Sequence, residues 1–74
     1  MTMVETMAEA GAVLRDRRTQ LGWSQANVAA RARVSREWLV AVENGKGRFD
    51  FQRYLAVCDA LDLDVHVTAR TNDA

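Results

Sequence analysis

Residues 25–45 read QANVAARARVSREWLVAVENG. A short break at Arg33-Val34-Ser35 parts two amphipathic pieces. In the second piece Arg36, Glu37, Trp38 and Val40 crowd together near its start. A helix that only had to pack against a core would not need that outward mixture of charge, indole and branched aliphatic.

Working outward, Ser24 is a natural N-cap for a helix over Gln25–Ala32, with Val28 and Ala29 facing inward. Ser35 caps the next helix, Arg36–Asn44, whose Leu39 and Val42 form the buried edge before Asn44-Gly45 ends it. Upstream, Thr6–Leu21 carries Ala10, Leu14 and Leu21 at helical spacing. Its later positions hold Arg15, Arg17 and Arg18, which suits the negative end of a helix dipole, and Gly22 is a plausible stop. Trp23, just before the Ser24 cap, reads as a staple onto the second helix. After the loop GKGRF, Asp50 caps a fourth helix over Phe51–Leu61, with a predicted stripe of Phe51, Tyr54, Leu55, Cys58 and Leu61.

Beyond Asp62 the period changes. Leu63-Asp64-Val65-His66-Val67-Thr68 alternates apolar and polar residues, as a strand does. The chain offers this strand no partner, so the same strand of a second copy is the cheapest cover for its edges. Val65, His66 and Val67 are then the dimerisation residues, and a frayed tail is the alternative. The whole chain reads as one domain over 1–74, with a core at 6–62 and the dimerisation strand at 63–69.

Composition fits a soluble globular chain: 49% hydrophobic and 27% charged residues, with no proline. A chain of 74 residues buries only about 60% of its unfolded surface, so pairing with a second copy is a reasonable source of stability. The single Cys58 lies in an apolar periodic stretch and reads as a small buried hydrophobe, not a reactive thiol. MTMVETMAEA lacks the basic start and apolar run of a secretory signal, and no stretch approaches a membrane span of ~20 residues. A cytoplasmic location is expected. Whether the final TNDA orders only on binding a partner stays open.

Net charge is zero, but its distribution is uneven. Arg15 to Arg53 holds nine basic and four acidic residues; the first fourteen residues carry two acids and no base. From Tyr54 onward there are four acids and one base. A basic centre between acidic ends is the kind of footprint phosphate binding needs, although a solvated polar face would look similar.

Two helices joined by a turn of three or four residues, the second capped by Ser35, match a helix-turn-helix. The segment LGWSQANVAARARVSREWLVAVENGK resembles the helix-turn-helix of lambda-type phage repressors and the XRE-like bacterial regulators. The shared positions are Gly22, Ser24-Gln25, Val28, Ala29, Val34-Ser35, Leu39, Val42 and Glu43-Asn44-Gly45, with Arg18 upstream. With the terminal alternating strand, the arrangement is most similar to the HipB-type antitoxins. The resemblance covers roughly residues 10–63. It implies a mainly α, lambda-repressor-like bundle of four to five helices, with a C-terminal strand pairing across a dimer. It also implies an Arg18–Glu43 salt bridge between helices and a phosphate or base-edge contact from Gln25. Three positions depart from the family pattern. Arg33 stands where a glycine is usual in the turn, at a cost of about 1 kcal/mol if φ is positive. Asp62 replaces a frequent glycine, and Arg17 sits where an apolar residue is common, suggesting a first helix slightly rotated or more exposed there.

A helix ~10–12 Å across fits the ~12 Å major groove of B-DNA, with its N-terminal residues at the base edges. Arg36 can donate to guanine O6 and N7, Glu37 can accept from cytosine N4, and Val40 or Ala41 can touch a thymine methyl. Donors, acceptors and methyls together explain the mixture at 36–41. Gln25, Asn44, Lys46 and Arg48 are the expected phosphate contacts, Gln25 aided by the backbone N–H groups of its helix start. Trp38 is too bulky for a base slot; partial burial is expected, with its indole N–H available to a phosphate or partner. His66 is the only histidine and has neither metal-ligand nor nucleophile companions, so a surface or dimer-edge place is expected.

The first functional reading is a homodimeric, operator-binding repressor, the HipB-like antitoxin of a type II toxin–antitoxin operon partnered by a HipA-type kinase toxin. A free-standing XRE-family or phage-like repressor is the second, and a protein-interaction module the third. No enzyme, cofactor or metal is expected.

Overall fold

The computed structural model describes residues 2–71, in which four helices form the element order. They are α1 (Met7–Leu21), α2 (Gln25–Ala32), α3 (Arg36–Glu43) and α4 (Phe51–Ala60). Each starts on a side chain that accepts a hydrogen bond from the otherwise unpaired N–H of the first turn. Thr6 Oγ1 takes the Glu9 N–H, Ser24 Oγ that of Asn27, Ser35 Oγ that of Trp38, and Asp50 Oδ1 that of Arg53. Thr6 and Asn44 lie at helix caps, not inside helices, as does Leu61, which follows the last turn of α4.

All four helices end in the same way. The chain turns into the left-handed region at Gly22 (φ 74°), Arg33 (φ 59°), Gly45 (φ 70°) and Asp62 (φ 58°). The next N–H then folds back onto a carbonyl five residues earlier: Trp23 to Arg18, Val34 to Ala29, Lys46 to Ala41 and Leu63 to Cys58. This closure satisfies carbonyls that the helix leaves unpaired. The first and third use glycine; Arg33 instead accepts strain of about 1 kcal/mol in the turn between α2 and α3.

The core takes a few residues from every helix: Ala10 and Leu14, Val28 and Ala29, Leu39 and Val42, and Tyr54, Val57, Cys58 and Leu61. Helix α3 packs against both α1 and α2, and α2 packs against α4. The predicted α4 stripe is partly wrong. Val57 is fully buried, while Phe51 and Leu55 are exposed. Positions 54, 57, 58 and 61 make the inward line at helical spacing; Phe51 precedes the core's edge and Leu55 turns about 100° away from Tyr54. Tyr54 donates its phenol O–H to the Ala10 carbonyl at 2.8 Å, tying α4 to α1. Arg17 also serves the fold, since its Nε donates to the Leu61 carbonyl at 2.9 Å and closes the end of α4.

The expected strand does not form within the described chain. Residues 63–71 carry no regular structure, and among the described residues no backbone hydrogen bond joins 64–71 to anything. A strand needs a neighbour to supply its ladder, and no other segment of the described chain pairs with this one. Of TNDA, residues 72–74 lie outside the described residues.

The tightest contact lies where α1 crosses α3. Gly11 is buried, and a Cβ there would overlap the Val42 carbonyl oxygen and stand 3.1 Å from Glu43 Cα. The helices meet backbone to backbone. Glycine inside a helix costs about 1 kcal/mol against alanine, so propensity alone favours Gly11→Ala. Packing opposes it: we expect Gly11→Ala to lower stability by about 1–3 kcal/mol, measured by urea unfolding. A stability gain would show that α1 can retreat from α3 at no cost.

Candidate nucleic-acid interface

Helix α3 is fixed from behind by a buried ion pair. Glu43, only 3% exposed, sits in its last turn. Arg18 of α1 grips it with two parallel hydrogen bonds, Nε to Oε2 at 2.8 Å and Nη2 to Oε1 at 2.9 Å. Its remaining Nη1 donates to the Trp23 carbonyl at 2.9 Å. The hydrogen bond to Glu43 raises the Arg18 pKa above its ordinary value, against partial desolvation and with a smaller Coulombic contribution from the same carboxylate. The guanidinium is therefore always charged.

Gln25, the first residue of α2, joins the same group. Its Nε2 donates to Glu43 Oε1 at 3.1 Å. One carboxylate thus ties together α1, the start of α2 and the end of α3. The second Nε2 hydrogen and the amide oxygen of Gln25 remain available, so the side chain is oriented without being used up.

The outward face of α3 begins with Arg36 and Glu37, both exposed; Val40 and Ala41 follow, half-buried. Asn44, Lys46 and Arg48 are exposed in and beside the loop after α3. Trp38 differs from expectation. It is half-buried against the core's edge, but its indole N–H is not free: it donates to the Arg48 carbonyl at 3.2 Å. Gly47 passes close beside Ala41, where an added Cβ would stand 3.0 Å from the Ala41 methyl. Val65, His66 and Val67 are exposed on the tail, Val67 at 90%.

The basic residues divide by role. Arg17 and Arg18 are committed to a helix end and the buried pair. Arg31 lies over the Trp23 ring, 4.2 Å from its centroid, with its Nε on Asn27 Oδ1. Arg53 pairs with Asp50 at 2.9 Å, and Arg15 lies 3.7 Å from Asp16. Among the described residues of the basic centre, Arg33, Arg36, Lys46 and Arg48 have neither a carboxylate within salt-bridge distance nor a side-chain hydrogen bond or aromatic contact, unlike Arg17 and Arg31. These four lie in the turn before α3, at its start and in the loop after it.

Cys58 is buried, and burial pushes its thiol up to about 11; burial, then the neighbouring Cys58, pushes Tyr54 up to about 12. Both stay neutral near pH 7 and act as packing groups. Sequence reading missed Gly11, the Arg17 contact, the Arg31–Trp23 stack and the Trp38–Arg48 bond. A glycine in mid-helix is itself a sign of close approach, so Gly11 was detectable. Nothing in the spacing of residues 38 and 48 announces their bond.

No helix among the described residues is long and apolar enough to cross a membrane. A family model described as a helix-turn-helix domain matches residues 9–70. No curated protein matches the chain.

Removing one member of a buried pair strands the other, at about 3–5 kcal/mol. We expect Glu43→Ala to cost about that much, and Arg18→Met with Glu43→Leu together to cost clearly less than the two single changes summed. Urea unfolding of the four proteins measures the coupling, and additive losses would remove the pair from its central place.

Proposed function

The chain belongs to the helix-turn-helix domain family, and from that premise we propose that it is a sequence-specific DNA-binding transcriptional repressor acting as a homodimer. One observation carries the reading. The four unpartnered cations of the basic centre flank or begin α3, while its other arginines are held by internal contacts. A positive rim around an exposed helix start is what docking into a major groove requires.

In this reading Arg36 and Glu37 read base edges, and Val40 with Ala41 offers methyl contacts to thymine. Gln25 and Asn44 meet phosphates beside Lys46 and Arg48. Arg33, absent from the sequence-based set, adds a further cationic contact on the turn. The Arg18–Glu43 pair is structural, holding α3 at its angle.

The tail supports a dimer. Residues 64–71 leave their backbone groups without partners among the described residues, and Val65 and Val67 are exposed. Pairing with the same segment of a second copy, through Val65, His66 and Val67, gives those groups a ladder. Two α3 helices would then read a palindrome at half-sites ~34 Å apart. The finer reading, a HipB-like antitoxin that also binds a HipA-type kinase toxin, rests on the sequence resemblance. Copurification of a kinase-like protein with the chain from its own cells supports it. Without a toxin, the same DNA chemistry describes a free-standing repressor. We read the protein as non-enzymatic and cytoplasmic.

Duplexes selected from a random pool supply the test. Arg36→Ala is expected to relax preference at one base pair, costing roughly 1–3 kcal/mol there. Unchanged preference across single-base variants removes Arg36 from the readers, and failure of the intact protein to select any duplex favours an interaction module. Cutting the chain after Leu63 is expected to turn a dimer into a monomer in sedimentation; a truncated dimer would overturn strand pairing.

A further inference from the structure

The loop between α3 and α4 carries Lys46 and Arg48, yet its backbone has few ties. Gly45 and Lys46 still close the end of α3, through N–H bonds to the Val42 and Ala41 carbonyls at 2.9 and 2.8 Å. The next polar anchor is Asp50, which caps α4. For residues 47–49 between them, the described chain shows one hydrogen bond, from the Trp38 indole to the Arg48 carbonyl. That bond spans ten residues and starts on α3 itself.

Two packing facts make the bond directional. Trp38 is half-buried beside the core, so its ring is not free to follow a moving loop. Gly47 lies beside the Ala41 methyl with φ 81°, a backbone shape that suits glycine, and an added Cβ would stand 3.0 Å from that methyl, closer than ordinary contact. The loop is therefore drawn onto the flank of α3, one turn beyond Arg36 and Glu37.

We infer that Trp38 is a positioning residue: its indole N–H holds the 46–48 loop beside α3, so that Lys46 and Arg48 meet phosphate while the helix start reads bases. The inference deepens the proposed DNA reading and rests on it. It also explains a tryptophan in the crowded first turns of α3: the side chain points along the helix flank to the loop, not into the groove. Because the indole acts on phosphate contacts, its loss weakens all duplexes alike. A base reader would instead lose preference at one position.

The test compares intact protein, Trp38→Phe, Lys46→Ala/Arg48→Ala and the triple variant on selected and random duplexes across a salt series. Trp38→Phe keeps an aromatic ring and deletes the N–H. Releasing about one backbone residue that binding must then re-order corresponds to roughly a 5- to 30-fold loss of affinity. That loss should be equal for both duplexes. The slope of log affinity against log salt should become shallower by about one phosphate's worth, ~0.9. In the Lys46→Ala/Arg48→Ala background, Trp38→Phe should cause no further loss. Unchanged affinity and slope in Trp38→Phe, a loss confined to one base pair, or a fully additive loss in the triple variant would each overturn the inference while leaving DNA binding intact. If the intact protein binds no duplex, the proposed function fails first and this inference with it. Should Trp38→Phe not fold by urea unfolding, the indole N–H of the intact protein decides: slowed hydrogen exchange supports its bond to the Arg48 carbonyl, and exchange as fast as that of a free indole overturns the positioning role.

Discussion

Glu43 keeps a charged carboxylate almost wholly out of water, and it can do so because three side-chain N–H groups reach it. Two come from Arg18 and one from Gln25. A buried ion pair adds little stability compared with a well-packed apolar pair, but it punishes any arrangement that separates its members. Here those members belong to α1, α2 and α3. Rotating α3 about its axis, or sliding it along α1, would strand a charge. The pair therefore fixes the helix on whose orientation the proposed groove reading depends. The backbone contact at Gly11 fixes the distance between α1 and α3, as the ion pair fixes the angle.

The zero net charge conceals a division of labour. Arg17, Arg18, Arg31 and Arg53 serve the fold through a carbonyl, a carboxylate, an indole and a cap. Arg33, Arg36, Lys46 and Arg48 surround the exposed start and the far end of α3 without such duties. Arg33 illustrates the compromise. Its φ of 59° is a strained shape for a side chain, where a glycine would sit at ease, yet it places a cation on the turn that leads into α3. In the proposed DNA reading, that cation is what the strained turn contributes to the surface.

Much of this is legible in the sequence, for local reasons. Ser24, Ser35 and Asp50 as caps, Gly22 as a stop, and the inward Val28, Leu39 and Val42 depend on neighbours within one turn of helix. Their periodicity and capping chemistry therefore predict helix limits to within about a residue. Phe51 and Leu55 are exposed against expectation because an apolar residue's spacing says which line it lies on, not where the core ends. The indole of Trp38 reads as free in the sequence because its acceptor is a backbone carbonyl ten residues away, and backbone acceptors leave no mark in composition. The strand expected at 63–69 shows a different limit. Alternation can be read from the residues alone, but a strand also needs a neighbour to supply its ladder, and alternation does not name one.

In the proposed DNA reading, an anchored α3 presents its start, the preceding turn and the following loop to a duplex as one surface. Two-dimensional NMR of the 15N-labelled protein, titrated at low ionic strength with selected and random duplexes, is the decisive measurement. Amide signals of Gln25, of residues 33–37 and of residues 46–48 are expected to shift together, while those of the buried Leu14, Val57 and Leu61 stay in place. Silence at residues 25, 33–37 and 46–48, or shifts confined to the tail, would contradict that reading.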